Sequence, residues 1–230
     1  MLKLEGLEVR YGKIRAVRGV TFTVPDGEVV AVLGPNGAGK SSMLKAISGV
    51  VRPYAGTVEW DGQDISQLPA HKVLRLGIAH VPEGRAIIAP LTVNENLQMG
   101  AYVTPRSEVR ELTDHMLNLF PPLKRRLSTT AGSLSGGEQQ MLAIARGLMS
   151  KPKLIAIDEP SMGLAPSVAN DVLNALVAVG TSGTSVLLVE QNAALALRLA
   201  NQVVVLGHGE VQAAGTADKL SHQILAAYVE

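Results

Sequence analysis

Cysteine is absent from the 230 residues, so no disulfide can form and the core must hold by packing alone; a reducing compartment suits such a chain. Aromatic residues are only 3% of the total, too few for the stacking platforms that grip single-stranded nucleic acid. Neither sign of charge dominates. Lys and Arg number 21 against 20 Asp and Glu, a formal net charge of +1, which argues against a generally basic nucleic-acid coat while leaving room for local patches. Long apolar runs are missing as well: each is broken by Gly, Pro or a charge well before the ~20 residues a bilayer requires. The opening MLKLEGLEVRYGK carries acids and alternating polarity where a secretory signal has an apolar centre. A cytoplasmic protein is the expectation.

What remains is an ordinary globular composition, 47% hydrophobic and 18% charged. The length fits one large α/β domain, or one domain with a small insertion. A mean hydropathy of +0.21 is high for a free monomer and points to a partner surface.

Two hydrophobic rhythms divide the chain. Residues 2–10 (LKLEGLEVR) and 14–24 (IRAVRGVTFTV) alternate apolar with polar and predict antiparallel strands with one wet face. Val29–Leu33, Leu154–Ile157, Ser185–Val189 and Val203–Leu206 are instead short continuous apolar runs, the mark of strands buried on both faces of a parallel sheet. Helical stretches are predicted over about 40–49, 138–150, 167–179 and 192–200, which gives the βα alternation of a wound α/β core. From Leu91 to Ser133 no buried-strand run occurs. Segments such as SEVRELTDHMLNLF and the break at Pro121-Pro122 predict a helical insertion there. One domain over 1–230 is expected, with its core and antiparallel part in 1–90 and 134–230 and the helical part in 91–133. The stretch GHGEVQAAGTADKL predicts a hairpin turn and a short helix.

Three motifs carry chemistry. Gly34-Pro35-Asn36-Gly37-Ala38-Gly39-Lys40-Ser41, followed by Ser42, comes straight after the VVAVL strand and opens a helix. It fits the G-x-x-x-x-G-K-[ST] phosphate loop in the context that motif needs. Glycines let successive N–H groups wrap phosphates, and the helix N-terminus adds positive potential. Lys40 would reach the β- and γ-phosphates of a bound nucleotide, and Ser41 would ligate Mg²⁺. Leu154-Ile-Ala-Ile-Asp158-Glu159 then carries two carboxylates to the C-terminal edge of a sheet, where α/β proteins bind ligands. Asp158 would hold the hydrated metal and Glu159 would polarise an attacking water. Third, Leu134-Ser-Gly-Gly-Glu-Gln-Gln140 precedes the apolar-periodic EQQMLAIARGLMS, a helix N-terminus suited to an anion.

A phosphate loop, then LSGGEQQ, then LIAIDEP about twenty residues downstream resembles the nucleotide-binding subunit of ABC transporters, over essentially the whole chain. The resemblance implies a RecA-like P-loop core with an antiparallel β subdomain and a helical subdomain. It implies ATP and Mg²⁺ as cofactors and a head-to-tail dimer in which each ATP lies between one phosphate loop and the partner's LSGGE. Ser135, Gly136, Gly137 and Gln139 would then meet the partner's ATP, and Tyr11 would lie under the adenine of the chain's own.

Three positions depart from the usual family pattern. Val81-Pro-Glu83-Gly-Arg85 stands at the Q-loop with Glu in place of Gln, so Glu83 offers an oxygen to the metal region and adds negative charge. Gln191, in Leu188-Val-Glu190-Gln191-Asn192, stands where most members have a switch His; it keeps an amide donor for the γ-phosphate but loses a titratable ring. Ala165 replaces an Asp in the turn Ser161–Pro166. VPEGR together with VEQNA resembles the LivF-type subunit of branched-chain amino acid importers. Urea and amide importers, and exporters of lipid or polysaccharide, stay open as alternatives, since Ala86–Ala89 differs from the more polar stretch expected there. The resemblance implies membrane permease subunits, a LivG-type paralogue or second copy as ATPase partner, a solute-binding protein at one remove, and Glu83 and Arg85 as coupling residues. It places the subunit on the inner face of the membrane. ABC ATPases that act on nucleic acid typically carry tandem domains or long coiled coils, which this chain lacks.

Overall fold

In the computed structural model, which describes residues 1–221, the buried apolar positions of the first two strands fall on one face of an antiparallel sheet. Strand β1 (Leu2–Tyr11) pairs with β2 (Ile14–Val24) from Leu2↔Val24 to Tyr11↔Ile14, with register shifts between Leu4 and Arg10. Its other edge takes β4 (Ala55–Trp60), which continues to the two-residue β5 (Gln63–Asp64). Leu2, Leu4, Leu7, Val9, Val17 and Val20 are fully buried against helix α1 (Lys40–Ile47).

The larger sheet has the order β10-β9-β3-β8-β7-β6. Strands β3 (Val29–Leu33), β6 (Ile78–Val81), β7 (Leu154–Asp158), β8 (Ser185–Glu190) and β9 (Gln202–Gly207) run parallel, and β10 (Glu210–Thr216) returns antiparallel to β9. Every residue of β3, β7 and β8 is buried. The reason is layering. Leu154 and Ala156 pack toward α1 and the antiparallel sheet, whereas Ile155 and Ile157 pack toward the helices on the opposite face. Successive side chains of a strand point to opposite faces, so a strand covered on both sides must be apolar throughout.

That opposite face is covered by α6 (Gly136–Leu148) and α7 (Pro166–Thr181). Residues 91–133 form α3 (Val93–Gly100), α4 (Arg106–Leu119), α5 (Pro121–Lys124) and two 3-10 turns, with a lone antiparallel bridge, Thr92↔Thr130, at their base. The ABC ATPase fold expected from the sequence is the fold observed. The four continuous runs are strands of the parallel sheet, and the four expected helices exist, the last shortened to α8 (Ala193–Leu197). The hairpin β9–β10 turns at His208-Gly209, and residues 217–221 are helical.

Three strands and a helix escape a reading of hydrophobic pattern. The strand β4 (AGTVEW) carries a glycine and an acid, β5 has two polar residues, and β6 (IAHV) is four residues long with a histidine inside the run. The helix α2 (Ala70–Arg75) is too short for a clear period. Each takes its conformation from neighbours: β6 is fixed by pairing Ile78↔Leu154 through Val81↔Ile157.

Candidate nucleotide site

Four adjacent parallel strands deliver the site. In the order β3, β8, β7, β6 they end respectively at the phosphate loop, Gln191, the pair Asp158-Glu159, and Glu83. Because the strands are parallel, all four ends open at one edge of the sheet. The residues are distant in sequence and neighbours only through this order.

The phosphate loop turns sharply from β3 into α1. Gly39 stands at the N-cap of α1 with φ 98°, and a Cβ there would collide with the carbonyl of Ala16 on β2. Only glycine satisfies both the left-handed backbone and the close approach. Lys40 is 4% exposed. Its ammonium donates to the carbonyls of Gly34 (2.7 Å) and Pro35 (3.1 Å), and pairs with Glu159 at 3.2 Å. The cation is folded onto its own loop, and Glu159 is held on it.

Asp158 is nearly buried (3% exposed), and its Oδ1 has no hydrogen-bond partner. Burial pushes its pKa up. The negative neighbours Glu159 and Glu83 push the same way, while a hydrogen bond from Ser41 and the charge of Lys40 oppose them. An orphaned, charge-crowded carboxylate beside a hydroxyl is what a divalent cation relieves. No group of three or more His, Cys, Asp or Glu suited to a metal exists among the described residues. One buried carboxylate with a hydroxyl beside it fits Mg²⁺, which takes one or two carboxylates and completes its shell with phosphate and water.

Glu159 has the left-handed backbone φ of 48°, unusual for a residue with a side chain. The Gln191 amide donates toward its Oε1 at 3.4 Å and also meets Asn36 of the phosphate loop. A cleft of ≈ 640 Å³ opens above these groups, lined by Tyr11, Asn36 through Ser42, Glu83 and Glu159. Tyr11 is 43% exposed at its mouth. The volume and the phosphate-loop lining fit ATP. Gly34, Pro35, Asp158 and Gln191 are not among the lining residues: the first two are carbonyl anchors for Lys40, Asp158 is buried, and Gln191 meets the lining through Asn36 and Glu159.

Ile14, Arg15, Ala16, Arg18 and His208 also line the cleft, and the sequence reading missed them. Two arginines on β2 had a weak signal, as cations on the wet face of a strand. His208 had none. The β9–β10 turn reaches the site because Gly209 N–H donates to the Ala38 carbonyl at 3.1 Å and the Gly209 carbonyl accepts from Arg18 N–H at 2.8 Å.

The LSGGEQQ segment is elsewhere. Ser135 caps α6, accepting from Glu138 N–H at 3.3 Å, and the Glu138 carboxylate accepts from Ser135 N–H at 2.9 Å. None of Ser135, Gly136, Gly137 and Gln139 lines the cleft. Arg85 ties this segment to the Glu83 loop: its guanidinium donates to Gln139 at 3.1 Å and covers Gly136, where a Cβ would come within 2.8 Å of Nη2. The loop itself is contorted, with φ of 78°, 67° and 46° at Gly84, Arg85 and Ala86. It is held by the fully buried Asn96 on α3, which bonds Ile88 through both N–H (2.9 Å) and C=O (3.1 Å), and by Arg146 donating to Ala86 at 2.7 Å.

The same arrangement recurs in known proteins. The chain is 44% identical to the high-affinity branched-chain amino acid transport ATP-binding protein BraG of Pseudomonas aeruginosa, over 92% of this chain and 91% of that one. It is 37% identical to the probable branched-chain amino acid transport ATP-binding protein LivF of Archaeoglobus fulgidus, over 96% and 94%. A nucleotide-free ATP-binding cassette from an ABC transporter superposes with a TM-score of 0.89 at 26% identity, covering 98% of this chain and 95% of that one. The dimeric post-hydrolysis cassette MJ0796, bound to ADP and Pi, gives 0.85 at 27% identity, covering 94% and 99%. Residues 17–162 match the ABC transporter family itself, and the chain belongs to that family as an ATP-hydrolysing subunit of LivF type.

Proposed function

We propose that this subunit drives uptake of branched-chain or related hydrophobic amino acids, working as half of a head-to-tail ATPase dimer on the inner face of a membrane permease. The cargo follows from the BraG and LivF relatives, which carry that function in their names. The dimer rests on one observation: the LSGGE segment caps a helix outside the chain's own nucleotide cleft. Ser135, Gly136, Gly137 and Gln139 therefore need a second chain, a LivG-type paralogue or another copy, to meet a nucleotide. No helix among the described residues is long and apolar enough to cross a membrane, so membrane attachment would run through permease subunits, with a solute-binding protein choosing the cargo outside.

Within the cleft, Lys40 leaves Glu159 and its loop carbonyls for the β- and γ-phosphates. Ser41 and Asp158, with Glu83 nearby, would hold Mg²⁺, which would neutralise phosphate charge when bound. Tyr11 supports the adenine. Freed of Lys40, the Glu159 carboxylate orients a water and takes its proton, and the Gln191 amide donates to the γ-phosphate. Residues 91–133 act as a helical subdomain that carries this change, through Glu83 and Arg85, to the permease.

Glu159→Gln is the direct test. It should bind ATP yet turn over ~10²–10⁴-fold more slowly, the usual scale for a positioned base, and accumulate as an ATP-bound dimer on gel filtration. Wild-type turnover would remove Glu159 from the role. Uptake by the reconstituted permease complex, with leucine, urea and a lipid as competing cargoes, decides the substrate.

A further inference from the structure

Strand β8 ends in a carboxylate that the chemistry above leaves unused. Glu190 is 2% exposed and makes no ion pair among the described residues. A buried carboxylate without a cation is unfavourable unless donors surround it. Here the donors come from two loops. Glu190 Oε1 accepts from Ser161 N–H at 3.0 Å, in the turn that follows Glu159. Burial pushes the Glu190 pKa up, against hydrogen bonds from the Ser161 side chain and from backbone N–H groups of Ser161, Asn192 and Gln191.

The left-handed backbone at Glu159 is costly for a residue with a Cβ and persists only where its surroundings fix it. Two bonds fix it from β8. Glu159 N–H donates to the Val189 carbonyl at 2.9 Å, and two residues on, Ser161 N–H donates to Glu190. One strand end thus anchors the turn on both sides of Glu159 while carrying Gln191 as its next residue.

We propose that Glu190 is a positioning residue for hydrolysis: its carboxylate locks the turn that aims Glu159 into the cleft and, through the same group, sets the loop that presents Gln191. The proposal rests on the reading of Glu159 as the base. Glu190 is buried and is not among the residues that line the cleft, so its loss should act on the rate and spare ATP binding.

The test is steady-state ATPase of the full chain for Glu190→Ala, Glu190→Gln and Glu190→Asp, beside Glu159→Gln. Misplacing a catalytic group by about 1 Å costs on the order of 10²-fold, so Glu190→Ala should lose about 10- to 100-fold in kcat with KM for ATP little changed. Gln has the shape of Glu and keeps an oxygen for Ser161 N–H, but turns an NH₂ toward the donors of Gln191 and Asn192, so it should be slower than wild type yet retain more activity than Ala or Asp. Asp keeps the charge but withdraws by one methylene, and should fall near Ala. Hydrogen exchange over 159–166 should quicken in the Ala and Asp variants and not in Gln. An Asp variant more active than Gln would mean that charge, not the bond to Ser161, matters, and the proposal would fail. It would fail equally if Ala matched wild-type kcat or lost only KM. If Glu190→Ala does not fold, the Gln and Asp comparison decides alone. A fast Glu159→Gln would overturn the base assignment itself, whereas a slow one beside unimpaired Ala and Asp variants overturns only the positioning role.

Discussion

The acids and bases of this protein are set apart by where the chain buries them. Asp158 and Glu190 sit at adjacent strand ends and are both pushed toward protonation by burial, yet one lacks a partner on Oδ1 and the other is wrapped in backbone donors. The first is suited to a metal, the second to holding a loop. His80 on β6 is a third case. Burial lowers its pKa from 6.5 to about 4, with the charge of Lys45 acting in the same direction. Ser48 Oγ already donates to the Leu44 carbonyl at 2.8 Å, so the His80 Nδ1–H is the donor in their 3.0 Å contact and Nε2 stays a bare acceptor. With the folded pKa below the unfolded one, the unfolded chain binds the proton first as pH falls. Stability from this residue is therefore constant above pH ~7 and declines between about 6.5 and 4, by on the order of 3 kcal/mol in all. Urea unfolding at pH 7 and pH 4.5 should reveal that decline, and His80→Leu should lack this part of it. Parallel slopes for both proteins would mean that His80 is not the titrating group.

At the scale of elements, helix starts do structural and functional work together. Both α3 and α6 begin with full capping boxes, Thr92 with Glu95 and Ser135 with Glu138. In α6 the cap fixes the LSGGE backbone, the segment proposed to meet a partner's nucleotide. Hydrogen bonding from Ser135 N–H holds Glu138 below the ordinary carboxylate range. A depressed carboxylate stabilises above its unfolded pKa and loses that contribution as pH falls through the folded value, so this cap weakens only in acid. Ser135→Ala should cost about 1 kcal/mol of stability at pH 7, the usual loss for an N-cap. It should also lower ATP-driven dimerisation, measured in the Glu159→Gln background so that hydrolysis does not interfere. Dimerisation as strong as in Glu159→Gln alone would leave Ser135 as a cap and nothing more.

For the whole molecule, the decisive feature is that one loop touches both ends of the machine. Glu83 lines the cleft, Arg85 reaches Gln139 and covers Gly136, and Ala86 through Leu91 are pinned to α3 and α6 by Asn96 and Arg146. In the proposed mechanism these contacts would link a change at the nucleotide to the inserted helices without passing through the sheet. Arg85→Ala, in vesicles containing the complete transporter, should lower the amount transported per ATP more than it lowers ATP binding. Transport and hydrolysis falling in strict proportion would rule out this coupling.

The sequence alone determined the motifs and the layers. Lys40, Ser41, Asp158 and Glu159 were legible because strand, turn and helix each leave a local signature, and Val29–Leu33 or Leu154–Ile157 read as doubly covered strands because nothing polar interrupts them. Tertiary structure decided the rest. Strand order brings Gln191 beside Glu159 and closes Lys40 onto it, and no local pattern encodes order. The short β6 is a strand through pairing with β7, against its own weak pattern. His208, Arg15 and Arg18 reach the cleft because a hairpin turn packs on β2 and the phosphate loop. Glu190 in sequence is one acid at the end of an apolar run. What makes it a clamp is the Ser161 amide 29 positions away, carried there by the neighbouring strand. Hydrophobic period is a property of consecutive residues and survives in the sequence; a hydrogen bond between strand ends exists only once the sheet has formed.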